Sequence, residues 1–242
     1  MELSVPVAPM PYRNMSLEEL ARHIGMDART LRKWADRGKL PGQKVGGEWR
    51  FNRARMLDWL QREMHALGAE HVRNLERAMR AGGQTRPIGS HLALEAIDLG
   101  LAARSRPSVL RELVKLAERT GLVYDGPQVL AALEEREQLG STALPGGIAF
   151  PHPSRPLPYA TAESLICLGR VPAGIPFGAP DGGLTDLFAL VVAHDEREHL
   201  GLLARLAMMF NTDLPGALRQ APTAEEALKL LLDTETRVVV KG

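Results

Sequence analysis

Polar and apolar positions along the chain fall into two regimes, the first over residues 16–64, where apolar side chains recur at helical spacing in short bursts. Ser16 and Glu19 make an S-x-x-E capping box ahead of LEELARHIG, in which each side chain satisfies an otherwise unbonded N–H at a helix start. Gly25 ends that helix, Asp27 caps a second one, ARTLRKWADRG, and Gly38 closes it. Leu17, Leu20, Ala21, Ile24, Met26, Leu31 and Trp34 then form the inner packing face, with Ala21 small enough for a close helix crossing. Arg29, Thr30, Arg32, Lys33 and Arg37 are left on the outer face of the second helix. In KLPGQKVGGEWRF, strand-like pieces on either side of Gly46-Gly47 predict a hairpin. RARMLDWLQREM then predicts a third helix with Met56, Leu57, Trp59 and Leu60 on its apolar face.

An irregular apolar stripe follows, Leu60, Met64, Leu67, Val72, Leu75 and Met79, interrupted near Gly68. Two partners fit it equally: a second copy of the chain in a homodimer, or the neighbouring domain. AGGQTRPIGS, residues 81–90, has linker composition. Beyond residue 88 the pattern alternates between helices and strands. RPSVLRELVKLAERTGL and DGPQVLAALEEREQLG read as helices stopped by Gly121 and Gly140, with Pro127 in the first turn of the second. GIAF, SLICLGRV and DLFALVVAH read as strands, EREHLGLLARLAMMF and TAEEALKLLLD as helices, and RVVV as a last strand. The expected class is α/β (α+β overall), with a mixed sheet flanked by helices in the larger domain. The expected organisation is a flexible N-terminus at 1–13, a small domain at 14–63, a helical linker and hinge at 64–87, and the α/β domain at 88–242.

Composition narrows the function classes. A formal net charge of +1 excludes polyanion binding through overall charge, so nucleic-acid contact requires a local patch, and residues 13–62 are the part rich in Lys and Arg. Cys167 is the one cysteine, which excludes an intrachain disulfide and a cysteine-rich zinc site. No apolar run approaches the roughly 18 residues needed to cross a bilayer, and MELSVPVAPMPYR lacks the layout of a signal peptide. These features predict a cytoplasmic protein with no membrane insertion. The histidines have no metal-ligand spacing, since His194 and His199 lie off the i, i+4 ladder of a helix. Neither a metal nor a cofactor is expected.

The order helix, helix, LP…VGG.WR wing, helix resembles the excisionase and MerR-like winged helix-turn-helix families over about 50 residues. The resemblance implies a DNA-binding domain whose second helix enters the major groove. Arg29, Thr30, Arg32, Lys33 and Arg37 would then face bases or phosphates, and Lys44 and Arg50 on the wing would neutralise phosphates. A solvated basic helix face is the other reading of the same charges.

LEEREQLGSTALPGGIAFPH, IPFGAPDGGLTDLFALVVA and EHLGLLARLA, in that order, resemble the type 2 enzyme IIA domain of the phosphoenolpyruvate-dependent phosphotransferase system, which includes the fructose, mannitol and nitrogen-regulatory IIA proteins. The resemblance covers roughly 150 residues and makes His152 the phosphoacceptor for a histidine-containing phosphocarrier protein. It implies a phosphohistidine transfer role rather than turnover catalysis. It also makes Arg136 the arginine that pairs with the phosphate and His199 the second histidine. Ser141 and Thr142 would donate hydroxyls, Arg155 is a further cation near the site, and the N–H groups of LPGGIA could cradle an oxyanion. The chemistry asks for a neutral, oriented imidazole among donors to phosphoryl oxygens. Pro151 and Pro153 restrict the backbone on either side of His152, but Pro153 stands where the family has a small residue and removes an N–H donor. Gly146-Gly147 replaces the family's NG-like pair. Three roles remain open: a DNA-binding regulator responding to phosphorylation, a IIA component passing phosphate to a IIB partner, and a regulator that works by docking alone.

Overall fold

The computed structural model describes residues 14–81 and 86–240. The expected flexible terminus at 1–13, residues 82–85 of the linker and the last two residues lie outside the described residues. The chain divides into two compact units at Leu67/Gly68.

In the first unit, strand β1 (Asn14–Met15) precedes helices α1 (Leu17–Ile24) and α2 (Ala28–Asp36). Strands β2 (Gly42–Val45) and β3 (Glu48–Asn52) and helix α3 (Arg53–Glu63) follow. The capping box closes as its spacing predicts: Glu19 N–H donates to Ser16 Oγ at 3.1 Å, and Ser16 N–H donates to Glu19 Oε2 at 2.8 Å. Gly25 takes the left-handed conformation, φ 67°, that ends α1 and turns the chain into α2. The sheet order is β1-β3-β2, antiparallel throughout, and the β2–β3 hairpin is the wing. β1 is an element that the sequence pattern did not predict. Leu20, Ile24, Leu31, Phe51, Met56 and Leu60 form the core of this unit.

The second unit opens with α4 (Ala69–Ala81), so the stretch read as linker and hinge divides between the two units. Val72, Leu75 and Met79, half of the irregular stripe, are buried where α4 packs on α7 (Glu196–Phe210). Between these helices come β4 (Ile97–Asp98), α5 (Arg106–Glu118), α6 (Gly126–Gln138), β5 (Ala143–Leu144), β6 (Ile148–Ala149), β7 (Leu165–Ile175) and β8 (Thr185–Val192). Helices α8 (Leu214–Gln220) and α9 (Ala224–Glu235) follow α7. The five-stranded sheet has the order β4-β7-β8-β6-β5. It is mixed: β4–β7 and β6–β8 are parallel, β7–β8 and β5–β6 antiparallel. α5 lies against β7 and α7 against β8. Leu187, Leu190, Val191 and Val192 of β8 are fully buried, as a central strand covered on both faces requires.

The expected last strand RVVV is instead a π-helical turn, Thr236–Val240. No Gly or Pro separates it from α9, and Thr236 N–H still donates to carbonyls of that helix, so the chain winds on and forms no strand. A buried ionic cluster ties three helices of this unit together. Arg205 of α7 meets Glu76 of α4 at 3.0 Å and Glu235 of α9 at 3.3 Å, and donates to the carbonyl of Arg86 at 2.6 Å. Among the described residues no helix is long and apolar enough to cross a membrane.

Candidate functional site

His152 lies just past the carboxyl end of β6, alongside the last residues of its parallel partner β8, which leads into α7. Val191 N–H of β8 donates to the Pro151 carbonyl at 3.0 Å and pins the residue before it. The His152 ring is almost wholly buried, 3% exposed, and its Nδ1 lies 2.6 Å from the Phe150 carbonyl. A carbonyl can only accept, so Nδ1 carries the hydrogen and Nε2 keeps its lone pair. Nε2 is buried and makes no hydrogen bond among the described residues. Burial holds the ring well below the usual histidine pKa, and the charges of His199 and Arg136 push the same way. The imidazole is therefore neutral at physiological pH.

His199, in the first turns of α7, presents its ring to His152 edge-on, with centroids 5.3 Å apart. Burial pushes it down to about 4, against the pull of Glu196 and Asp195. The structure separates it from His194, whose Nε2 lies 2.7 Å from the Thr161 carbonyl and whose N–H donates to Ser164 Oγ. His194 is a structural residue of the loop after β8. Arg136, in the last turn of α6, is 4% exposed, donates to the Gly140 carbonyl at 2.8 Å, and its charge acts on both rings. His152, His199 and Arg136 thus come together from the segment after β6, from α7 and from α6.

The other candidates have different engagements. Ser141 Oγ donates to the Phe177 carbonyl at 2.7 Å. Thr142 donates its hydroxyl, and its N–H at 3.1 Å, to the buried Glu137 carboxylate. Both hydroxyls therefore hold the α6–β5 connection in place in this conformation. Arg155 is exposed in the loop after the site. The expected LPGGIA cradle is a hairpin turn: Gly146 N–H donates to Asp181 Oδ2 at 2.9 Å, and the Gly147 carbonyl accepts from Asp186 and Leu187. Those groups hold β8 and its approach loop and are not directed at His152.

Glu137 and Arg106 escaped the sequence reading. Burial pushes the Glu137 carboxyl up, against the hydrogen bonds of Thr142 and the charges of Arg106 and Arg136. Arg106 donates to the Phe177 carbonyl and stacks on the Phe177 ring. A signal for Glu137 was present: Val129, Leu133, Arg136 and Glu137 follow one another at i, i+4, i+7, i+8, which turns both charged residues inward with the apolar face. No comparable spacing marks Arg106.

In the first unit, Arg29, Arg32, Lys33 and Arg37 are exposed on α2 and its C-terminal turn. Thr30 spends its hydroxyl and N–H on Asp27, the N-cap. Each wing cation has a carboxylate: Lys44 meets Asp36 at 3.3 Å and lies over the Trp49 ring, and Arg50 meets Glu48 at 2.7 Å. Trp49 Nε1 also donates to Asp36, which fastens the wing to the end of α2.

The fold of the second unit has a known family. Residues 90–234, over half of the chain, match the model of the phosphoenolpyruvate-dependent sugar phosphotransferase system EIIA 2 domain, and the chain belongs to that family. Residues 15–64 match a helix-turn-helix domain. Among its relatives are the nitrogen regulatory proteins of Pseudomonas aeruginosa, 34% identical over 54% of this chain and 85% of that one, and of Bradyrhizobium diazoefficiens, 34% identical over 60% and 94%. The crystal structure of the nitrogen regulatory protein IIA-Ntr from Neisseria meningitidis superposes with a TM-score of 0.55 at 29% identity, covering 60% of this chain and 98% of that one. IIA mannitol from Escherichia coli shares the fold, with a TM-score of 0.51 at 24% identity over 57% and 97%.

Proposed function

We propose that the chain is a phosphorylation-responsive DNA-binding regulator of the cytoplasm: His152 accepts a phosphoryl group from a histidine-containing phosphocarrier protein, and its state modulates DNA binding by the winged unit. The observation that carries the reading is the His152 ring itself, a neutral imidazole with Nδ1–H held by a carbonyl and Nε2 left as nucleophile. In the transfer, the Nε2 lone pair forms a new N–P bond as the donor's N–P bond breaks, and the donor ring recovers its lone pair. The His152 ring gains positive charge in that step, and the Phe150 carbonyl on Nδ1–H stabilises it. Positioning and electrostatics supply most of the rate in phosphoryl transfer. Arg136, whose charge already reaches both rings, is the group suited to the phosphoryl oxygens. Because the ring is almost wholly buried, a protein donor reaches Nε2 only after a local opening. The phosphoryl group adds about −1.5 to −2 charges beside α7, enough to change what that face of the domain binds.

On the DNA side, support comes from the helix-turn-helix match and from the exposed Arg29, Arg32, Lys33 and Arg37 on α2. Lys44 and Arg50 would exchange their carboxylate partners for backbone phosphates. The test incubates the full chain with phosphoenolpyruvate, enzyme I and the phosphocarrier, then measures binding to an operator fragment. The expected result is an acid-labile label, absent from His152→Ala, and a change in DNA affinity on labelling. Failure to label refutes the acceptor role of His152, and equal affinity of the two forms refutes the coupling.

A further inference from the structure

The nitrogen of His152 that stays free is chosen by one acceptor, the Phe150 carbonyl at 2.6 Å, so whatever places that carbonyl chooses the tautomer. Phe150 is held in turn: its N–H donates to the Thr142 carbonyl at 3.2 Å, which extends the β5–β6 hairpin by one rung beyond Ala143–Ala149. Thr142 is gripped by Glu137 of α6, whose carboxylate accepts both its N–H and its hydroxyl. Glu137 and Thr142 are 4% and 7% exposed, so this link is buried throughout. The neighbouring Arg136 fastens the same connection through the Gly140 carbonyl.

We infer that Glu137 is a positioning residue for the phosphoacceptor: through Thr142 and Phe150 it holds His152 as the Nδ1–H tautomer and so reserves Nε2 for chemistry. Glu137 touches neither the ring nor any phosphoryl donor, and it acts through the position of the hairpin alone. Two adjacent residues of one helix turn therefore divide the work at the site. Arg136 adds a positive charge that acts on both rings, and Glu137 sets which imidazole nitrogen is available. The inference rests on His152 being the acceptor only for its functional meaning, because the tautomer exists without any donor.

The experiment is long-range ¹H–¹⁵N spectroscopy of the imidazoles in the full chain, with the His152 signals assigned by their loss in His152→Gln. The wild type is expected to show a single Nδ1–H tautomer. Glu137→Ala is expected to show both tautomers, with the Nδ1–H preference reduced about tenfold or more, the scale of one lost hydrogen-bond restraint. Phosphoryl acceptance from the carrier falls alongside it. Glu137→Gln returns an acceptor to Thr142 and is expected to bring back the tautomer. Wild-type tautomer populations in a folded Glu137→Ala chain overturn the inference, because the Pro151–Val191 bond would then suffice to hold the loop. Equal losses in Ala and Gln variants overturn it as well. If Glu137→Ala does not fold, Glu137→Leu keeps the side-chain volume while removing the acceptor of both Thr142 bonds, and an unchanged tautomer there is equally fatal. A tautomer shift with no phosphorylation of any variant leaves this inference standing and sinks the acceptor role of His152.

Discussion

Acidification should weaken the second unit through His199 by an amount that its burial sets. The ring is wholly buried on α7, and that burial pushes it from an ordinary 6.5 down to about 4. An unfolded chain takes up this proton as the pH falls through about 6.5, while the folded chain declines it until about 4. The lowered pKa therefore contributes stability that is fully present above the unfolded value and is lost progressively as the pH falls toward the folded one. At about 1.4 kcal/mol per pH unit the loss is about 3 kcal/mol across that window. His152, lowered mainly by burial, adds a loss in the same direction. Glu137 works the other way: with its carboxyl raised by burial, it contributes stability below the ordinary carboxylate range and loses it as the pH rises.

Comparison with His199→Gln isolates the histidine from these carboxylates. The assay is urea unfolding followed by far-UV circular dichroism at a series of pH values from about 7.5 to 4.5. Tryptophan fluorescence provides an internal control, because Trp34, Trp49 and Trp59 all lie in the first unit. Between the ends of the series, the wild-type transition should lose about 2–3 kcal/mol more than the variant, roughly 1 M in urea midpoint. Parallel losses in the two proteins, or a His199 ring that titrates near 6.5, would refute the reasoning.

Three further outcomes follow from packing and charge. Arg205→Met leaves Glu76 and Glu235 buried without their cation and should destabilise the second unit by about 3–5 kcal/mol in the same urea assay. Gly169→Ala places a Cβ against Leu101 and Leu113 under β7 and should cost about 1–3 kcal/mol, read as a lower melting temperature. Lys44→Ala should weaken DNA binding across sequences and reduce the magnitude of the salt slope of log K by about 1, measured by fluorescence anisotropy.

The features that were legible from sequence are those with short-range causes. Ser16-x-x-Glu19, Asp27 and Gly25 specify their own backbone hydrogen bonds within a few residues, so the helices of the first unit and the β2–β3 hairpin at Gly46-Gly47 appear where the pattern puts them. His152, Arg136 and His199 were legible as a set because three sequence blocks resembled one family, and the fold brings those blocks together. The mixed sheet was legible only as a class. Its order, β4-β7-β8-β6-β5, depends on pairings between distant strands that no local pattern encodes.

Tertiary structure decided which polar groups were still free for chemistry. Ser141, Thr142, Gly146 and Thr30 all looked like available donors, and each is bonded within the fold: to Phe177, Glu137, Asp181 and Asp27. A buried donor left unpaired costs free energy, so a folded chain binds up most of its donors, and composition cannot say with whom. Glu76 sits in mid-stripe between Val72 and Met79, in the apolar phase of α4, yet its partner Arg205 lies 129 residues away. By itself the sequence determined the capped helices and the wing hairpin of the first unit, and it singled out the candidate histidine. Only the fold decided that the histidine is neutral, which of its nitrogens carries the hydrogen, and which helix turn holds it so, because each of these depends on burial and on contacts between segments far apart in the chain.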